Sequence, residues 1–177
     1  MTENKDNISY ALSNFDIMDF FNDSINIVCY KDIHKFNTID ELLGKYNRCI
    51  ILYESTKGNH WVCIFKPYDY ILYFDSYGIK PENEFNFIPP KYRKGQKEGD
   101  LIKLLVNQPL KIHFSQYRLQ KLKKGINTCG KWCAVISKLM INEDEFNDII
   151  KDLRKSFKLK NDEIICLLYK ILSKQII

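Results

Sequence analysis

At 177 residues, with 45% hydrophobic and 28% charged residues, the chain is long enough to bury one core without disulfide or metal staples. Aromatics at 14%, against only 5 Pro and 7 Gly, exclude a disordered chain, and a net charge of +5 permits a polyanionic partner without requiring one. The polar opening MTENKDNISY has neither the basic nor the apolar region of a secretory signal, and no apolar run reaches membrane-spanning length. An intracellular protein with reduced cysteines is therefore expected.

In chain order, apolar residues at helical spacing predict a helix over roughly 8–22. Thr38 and Glu41 form a capping-box pattern that starts a short helix. RCIILYE (48–54) reads as a buried strand, and HWVCIFK (60–66) and YILYFDS (70–76) read as two strands joined by a turn around Pro67 and Asp69. The aromatic stretch 77–95 reads as a loop, 100–107 as a helix with Asp100 near its start, and 110–120 as a further strand. From Cys129 onward the pattern is helical, and two later segments open on the cap-type residues Asn142 and Asn161. The expectation is a single α+β domain over 1–177, with a central mixed, mostly antiparallel sheet flanked by helices. The lysines of 91–97 and 121–124 read as solvated surface.

Chemistry is sought among six cysteines and three histidines. No CxxC pair exists, which removes the main support for zinc-ribbon or thioredoxin-like readings, and no metal is required. Cys29, Cys49, Cys63 and Cys166 sit in apolar runs and read as small buried hydrophobes. Cys133, one turn beyond Cys129, reads as core. Cys129 differs, because it follows the polar KKGINT and opens a helix, where backbone N–H groups and the helix dipole stabilise a thiolate. Gly130 allows a close approach there.

A nucleophilic thiol needs a base. His60 stands at a loop-to-strand boundary, whereas His34 and His113 read as ordinary polar positions. Asp75 ends a very apolar strand, where an unpaired acid would be costly. Antiparallel pairing of the two strands sets His60 and Asp75 close to opposite each other, so Asp75 could orient His60. A turn-capping role for Asp75 remains open at this stage.

With these residues placed, the pattern resembles the cysteine proteases that include the adenovirus maturation protease and the ubiquitin-like-protein-specific proteases. The matching pieces are His60–Trp61, FDSYG with Asp75, a Gln ahead of the cysteine, and NTCG with Cys129. The fuller wording GNHWVCIF…YFDSYG…YRLQ…NTCGKW is similar to maturation proteases of large DNA viruses and virophages. It covers about 9–141, while 142–177 carry no motif. The resemblance implies an adenain-like fold and a Cys129 nucleophile, with His60 as general base and Asp75 holding the imidazole. It further implies an oxyanion hole built from a Gln side chain and the Cys129 N–H. Gln120 is preferred over Gln116 for that donor, and Trp61 is expected beside the imidazole.

The same resemblance implies a monomeric endopeptidase that cleaves viral structural precursors in the virion or the host-cell cytoplasm. No cofactor is required, and DNA or a peptide is a candidate activator. The alternatives are a ubiquitin-like-protein deconjugating protease, an acetyltransferase on the same scaffold, and a catalytically inert virion structural or binding protein.

Overall fold

The computed structural model describes residues 7–56 and 58–174. Its elements in chain order are α1 (Asn14–Phe21), β1 (Asn26–Cys29), α2 (Ile39–Leu43), β2 (Arg48–Tyr53), β3 (His60–Phe65) and β4 (Tyr70–Phe74). These are followed by α3 (Asp100–Val106), β5 (Lys111–Phe114), α4 (Cys129–Leu139), α5 (Glu143–Phe157) and α6 (Asn161–Ser173).

The class is α+β, with one five-stranded sheet in the order β1-β2-β3-β4-β5. The sheet is evenly mixed rather than mostly antiparallel: β2–β3 and β3–β4 run antiparallel, and β1–β2 and β4–β5 run parallel. The two tight hairpin-like connections are the ones that sequence spacing reveals. The parallel pairs arise from the long returns through 30–47 and 75–110, whose direction no local pattern encodes.

Both faces of the sheet are buried, which is why its strands are continuous apolar runs instead of alternating ones. On one face Trp61, Cys63, Phe65, Leu72 and Phe74 pack against α1, α4, α5 and α6. On the other, Ile51, Tyr53, Val62, Ile64, Ile71 and Tyr73 pack under Tyr30, α2, Phe85 and α3.

Several boundaries differ from expectation. The first helix begins only at Asn14, because Ser13 accepts from the Asp16 N–H while Asp16 takes the Ser13 N–H. Thr38 caps α2 as expected, accepting from the Glu41 N–H at 3.2 Å, but the Glu41 carboxylate takes the Asn37 N–H instead of that of Thr38. The strand expected over 110–120 stops at Phe114, since Ser115 turns its hydroxyl to the Asp75 N–H and the Leu119 and Gln120 N–H groups both bond to the Ser76 carbonyl. Asn142 caps α5 by accepting from Glu145 N–H. Asn161 instead lies inside α6 and donates to the Leu119 carbonyl, while Glu163 accepts from the Lys160 N–H.

The return between β4 and β5 depends on a buried acid that looked like loop surface. Glu82, 5% exposed, accepts from the N–H groups of Gly99, Leu101 and Ile102 at 2.7, 2.9 and 3.1 Å, and from the Tyr30 hydroxyl. It therefore caps α3, whose first residue is Asp100, and it neutralises the orphan donors of a helix start. Glu82→Ala is expected to cost about 3 kcal/mol, the scale for stranding buried donors of a charge-assisted network, as read from the denaturant midpoint.

Candidate functional site

Three elements meet at one rim of the sheet. His60 is the first residue of β3, Asp75 follows the last residue of β4, and Cys129 is the first residue of α4. The observed register, Cys63 with Phe74 and Ile64 with Tyr73, sets Asp75 level with Val62 instead of His60. His60 is thus a diagonal neighbour. The two-residue offset keeps both side chains on one face, because side chains alternate along a strand. The His60 Nε2–H donates to Asp75 Oδ2 at 3.0 Å.

Asp75 is fully buried, and its position is fixed on every side. Its Oδ1 accepts from the Tyr77 N–H at 2.6 Å, and its own N–H donates to Ser115 Oγ at 2.7 Å. Burial alone would disfavour the imidazolium, but the Asp75 charge and hydrogen bond override it and hold His60 well above the usual histidine value. With Nε2 committed to Asp75, Nδ1 is the ring nitrogen left to exchange a proton with sulfur.

The His60 imidazole and the backbone N–H groups of Trp61 and Gly130 act electrostatically on the Cys129 thiol, each favouring its ionised form. Burial pushes that thiol up, and the His60 bond, its charge and the two N–H groups together bring it below the ordinary cysteine value. By contrast, burial pushes Cys29, Cys49 and Cys133 upward. All six cysteines are free thiols, and Cys29 is half-buried rather than fully so. The opposed shifts of Cys129 and His60 favour a thiolate–imidazolium pair, the reactive form of such a site.

The supporting residues fall partly as expected. Gly130 is packed so tightly that a Cβ there would stand 3.1 Å from both Leu12 Cβ and Trp61 Cδ1. Trp61 does not supply the ring stacked on His60. Its indole lies in the α4-facing core and donates to the Leu12 carbonyl at 3.0 Å, and the stacked ring is Tyr77, 5.0 Å away at 21°. Strand alternation sends the residue after His60 to the opposite face, so Trp61 supports the cysteine from beneath. Tyr77 was visible in FDSYG but carried no signal that its ring would cover the histidine.

Gln120 is 1% exposed, with its carbonyl accepting from Ser76 Oγ at 2.7 Å and its Nε2 donating to Tyr77 Oη at 3.0 Å. It is thereby joined to His60 through Tyr77. Gln116 is exposed and borders a different hollow with Tyr70, His113 and Glu143. His34 is exposed and bonded to the Lys31 carbonyl, and His113 stacks on Tyr70, so neither approaches Cys129 through these contacts.

The motif-free C-terminal region supports the site directly. Asp162 of α6 accepts from Thr128 Oγ1 at 2.5 Å, Trp132 Nε1 at 3.2 Å and the Lys121 N–H at 3.1 Å, bracing the residue before Cys129. The N-terminal segment braces the same turn, with the Asn127 N–H on the Ile8 carbonyl at 2.8 Å and Lys131 Nζ on the Tyr10 carbonyl at 2.7 Å. One further acid, Glu84, reaches the site: donor atoms of His60, Asp75 and Glu84 all lie within 4.8 Å of one another.

No protein-family model matches the chain. It is 37% identical over 164 residues to a protein of Sputnik virophage described as "Uncharacterized protein V9", covering 89% of this chain and 93% of that one. Among the described residues, no helix is long and apolar enough to cross a membrane.

Two outcomes are expected. Iodoacetamide should label Cys129 ahead of the other cysteines at about pH 6, well below the ordinary thiol value near 8.5, and His60→Ala should slow it, as read by peptide mass spectrometry. Asp162→Ala should lower unfolding stability by about 2–4 kcal/mol in chemical denaturation, since three donors lose their acceptor.

Proposed function

The chain belongs to the family of the Sputnik virophage V9 protein, and from that viral kinship and the geometry of its rim site we propose that it is a cysteine endopeptidase of virion maturation. The observation that carries the reading is the Cys129–His60–Asp75 arrangement, with a thiol brought down, an imidazole held up and a fully buried carboxylate between two fixed donors. A structural cysteine needs none of these.

In the proposed reaction, Cys129 Sγ attacks the scissile carbonyl and the carbonyl π electrons move onto oxygen. The His60 imidazolium then donates its Nδ1 proton to the leaving amine as the C–N bond breaks, leaving a thioester. A water, deprotonated by the now neutral His60, attacks the thioester and releases Cys129. Asp75 keeps Nε2–H in place throughout and stabilises the imidazolium. The developing oxyanion lies at the start of α4, where the Cys129 N–H and the helix dipole are directed, and Gln120 Nε2 supplies a second donor by exchanging its bond to Tyr77.

A peptide substrate also fits the surroundings. A groove of about 890 Å³ runs along α1 and the edge strand β1 to Trp61, lined by Phe15, Met18, Ile27 and Leu52 among others. An extended chain could pair with such an edge while its side chains enter the groove. A DNA activator has a physical basis in Arg118, Lys121, Lys123, Lys124, Arg154 and Lys160, which line a second cleft of about 510 Å³ that also reaches Gln120.

The test is incubation of the purified protein with virion structural precursors and, in parallel, with ubiquitin-like fusion proteins. Cleavage of the precursors is expected, falling at least about a thousandfold in Cys129→Ala. Cleavage of the fusion proteins alone would make it a deconjugating enzyme, and cleavage that survives Cys129→Ala would refute the assignment.

A further inference from the structure

Glu84 is absent from the sequence motif, yet it stands behind the proposed catalytic pair. It lies in the loop after β4, is 4% exposed, and accepts the Tyr73 hydroxyl on Oε1 at 2.9 Å. Among the described residues, no N–H or O–H group donates to its other oxygen, Oε2, which is fully buried. Its carboxylate stands beside that of Asp75, with one oxygen of each and a His60 ring nitrogen within 4.8 Å of one another. Two ionised carboxylates cannot hydrogen-bond, and placing both beside a buried thiolate would concentrate uncompensated negative charge. One proton between them removes both difficulties. Asp75 already accepts from two donors, the His60 imidazole and the Tyr77 N–H, whereas among the described residues Glu84 Oε2 accepts from none, so the proton belongs on Glu84.

We propose that Glu84 is a positioning residue of this site, a neutral carboxylic acid whose Oε2 hydroxyl donates to Asp75 and holds it against His60. The assignment builds on the reading of Cys129, His60 and Asp75 as the reacting group. It extends the array to four members, of which the last acts only through Asp75. The third donor completes the shell of a fully buried carboxylate, and so fixes the orientation of the imidazole as well.

The titratable groups facing Glu84 are Tyr73 of β4, Asp75 just beyond it, His60 of β3 and Tyr53 of β2. Burial, with Asp75 adding to it, pushes the Glu84 carboxyl up to about 8 from an ordinary 4.5. Since the folded value stands above the unfolded one, the stability this proton contributes is complete below about pH 4.5 and is lost as pH rises through about 8.

Glutamine reproduces the proposed state, with its carbonyl accepting from Tyr73 and its amide donating to Asp75. Methionine keeps the bulk and removes the donor. Difference infrared spectra at neutral pH are expected to show a protonated carboxyl band in the wild type that is missing in Glu84→Gln. Alkylation of Cys129 by iodoacetamide should stay within about threefold of wild type in Glu84→Gln and fall roughly tenfold in Glu84→Met, the size of one lost charge-assisted hydrogen bond. The unfolding midpoint of the wild type should fall relative to that of Glu84→Gln between pH 5 and about 8.

A carboxyl band that persists in Glu84→Gln, or a Gln variant that reacts as slowly as an ionised partner's loss would make it, overturns the proposal. If Glu84→Met does not fold, the infrared and Gln results decide alone. Absence of proteolysis alongside the expected band and alkylation pattern would refute the protease reading and leave the Glu84 assignment standing.

Discussion

The fully buried charge of Asp75 is the constraint on which the rest of the site depends. A carboxylate at 0% exposure is tolerable only when its oxygens are saturated by donors and an opposite charge lies close. The chain meets that demand from several directions: the Tyr77 N–H from the next turn, the His60 imidazole from the neighbouring strand, and the Glu84 carboxyl from the return loop. In meeting it, the fold also fixes the imidazole that stands against Cys129. The stability requirement and the chemical one are therefore the same requirement.

Cys129 is held by a separate set of contacts that converge from the two ends of the chain. Residues 7–12 bond to the turn before it and to Lys131 and Trp61, and Asp162 of α6 anchors Thr128, Trp132 and Lys121. The helix dipole and two backbone N–H groups then act on a sulfur whose place is not negotiable. This explains why a region with no motif of its own, from α5 onward, is structurally part of the site.

Much of this was legible in the sequence, for local reasons. The strands 48–54, 60–66 and 70–76 are runs of apolar residues with a Pro67–Asp69 turn between the last two, and the polar-to-helical switch at Cys129 is abrupt. The His60–Asp75 pairing survived a register error of two residues, because parity, not the precise partner, decides which face a side chain shares. What was not legible depends on long returns. The parallel placement of β1 and β5, the ring of Tyr77 over His60, and the burial of Glu82, Glu84 and Asp162 are consequences of tertiary docking. Within their own segments those acids are indistinguishable from solvated ones.

The central claim is that His60 is charged at neutral pH because it is paired with Asp75 on one side and the Cys129 sulfur on the other. Nitrogen-detected NMR of the His60 imidazole, titrated in the wild type and in Cys129→Ala, measures this most directly. The account predicts an imidazolium in the wild type, with Nε2–H held in a hydrogen bond, and a lower pKa once the sulfur is removed. A neutral imidazole at pH 7, with a titration indifferent to Cys129, would contradict it.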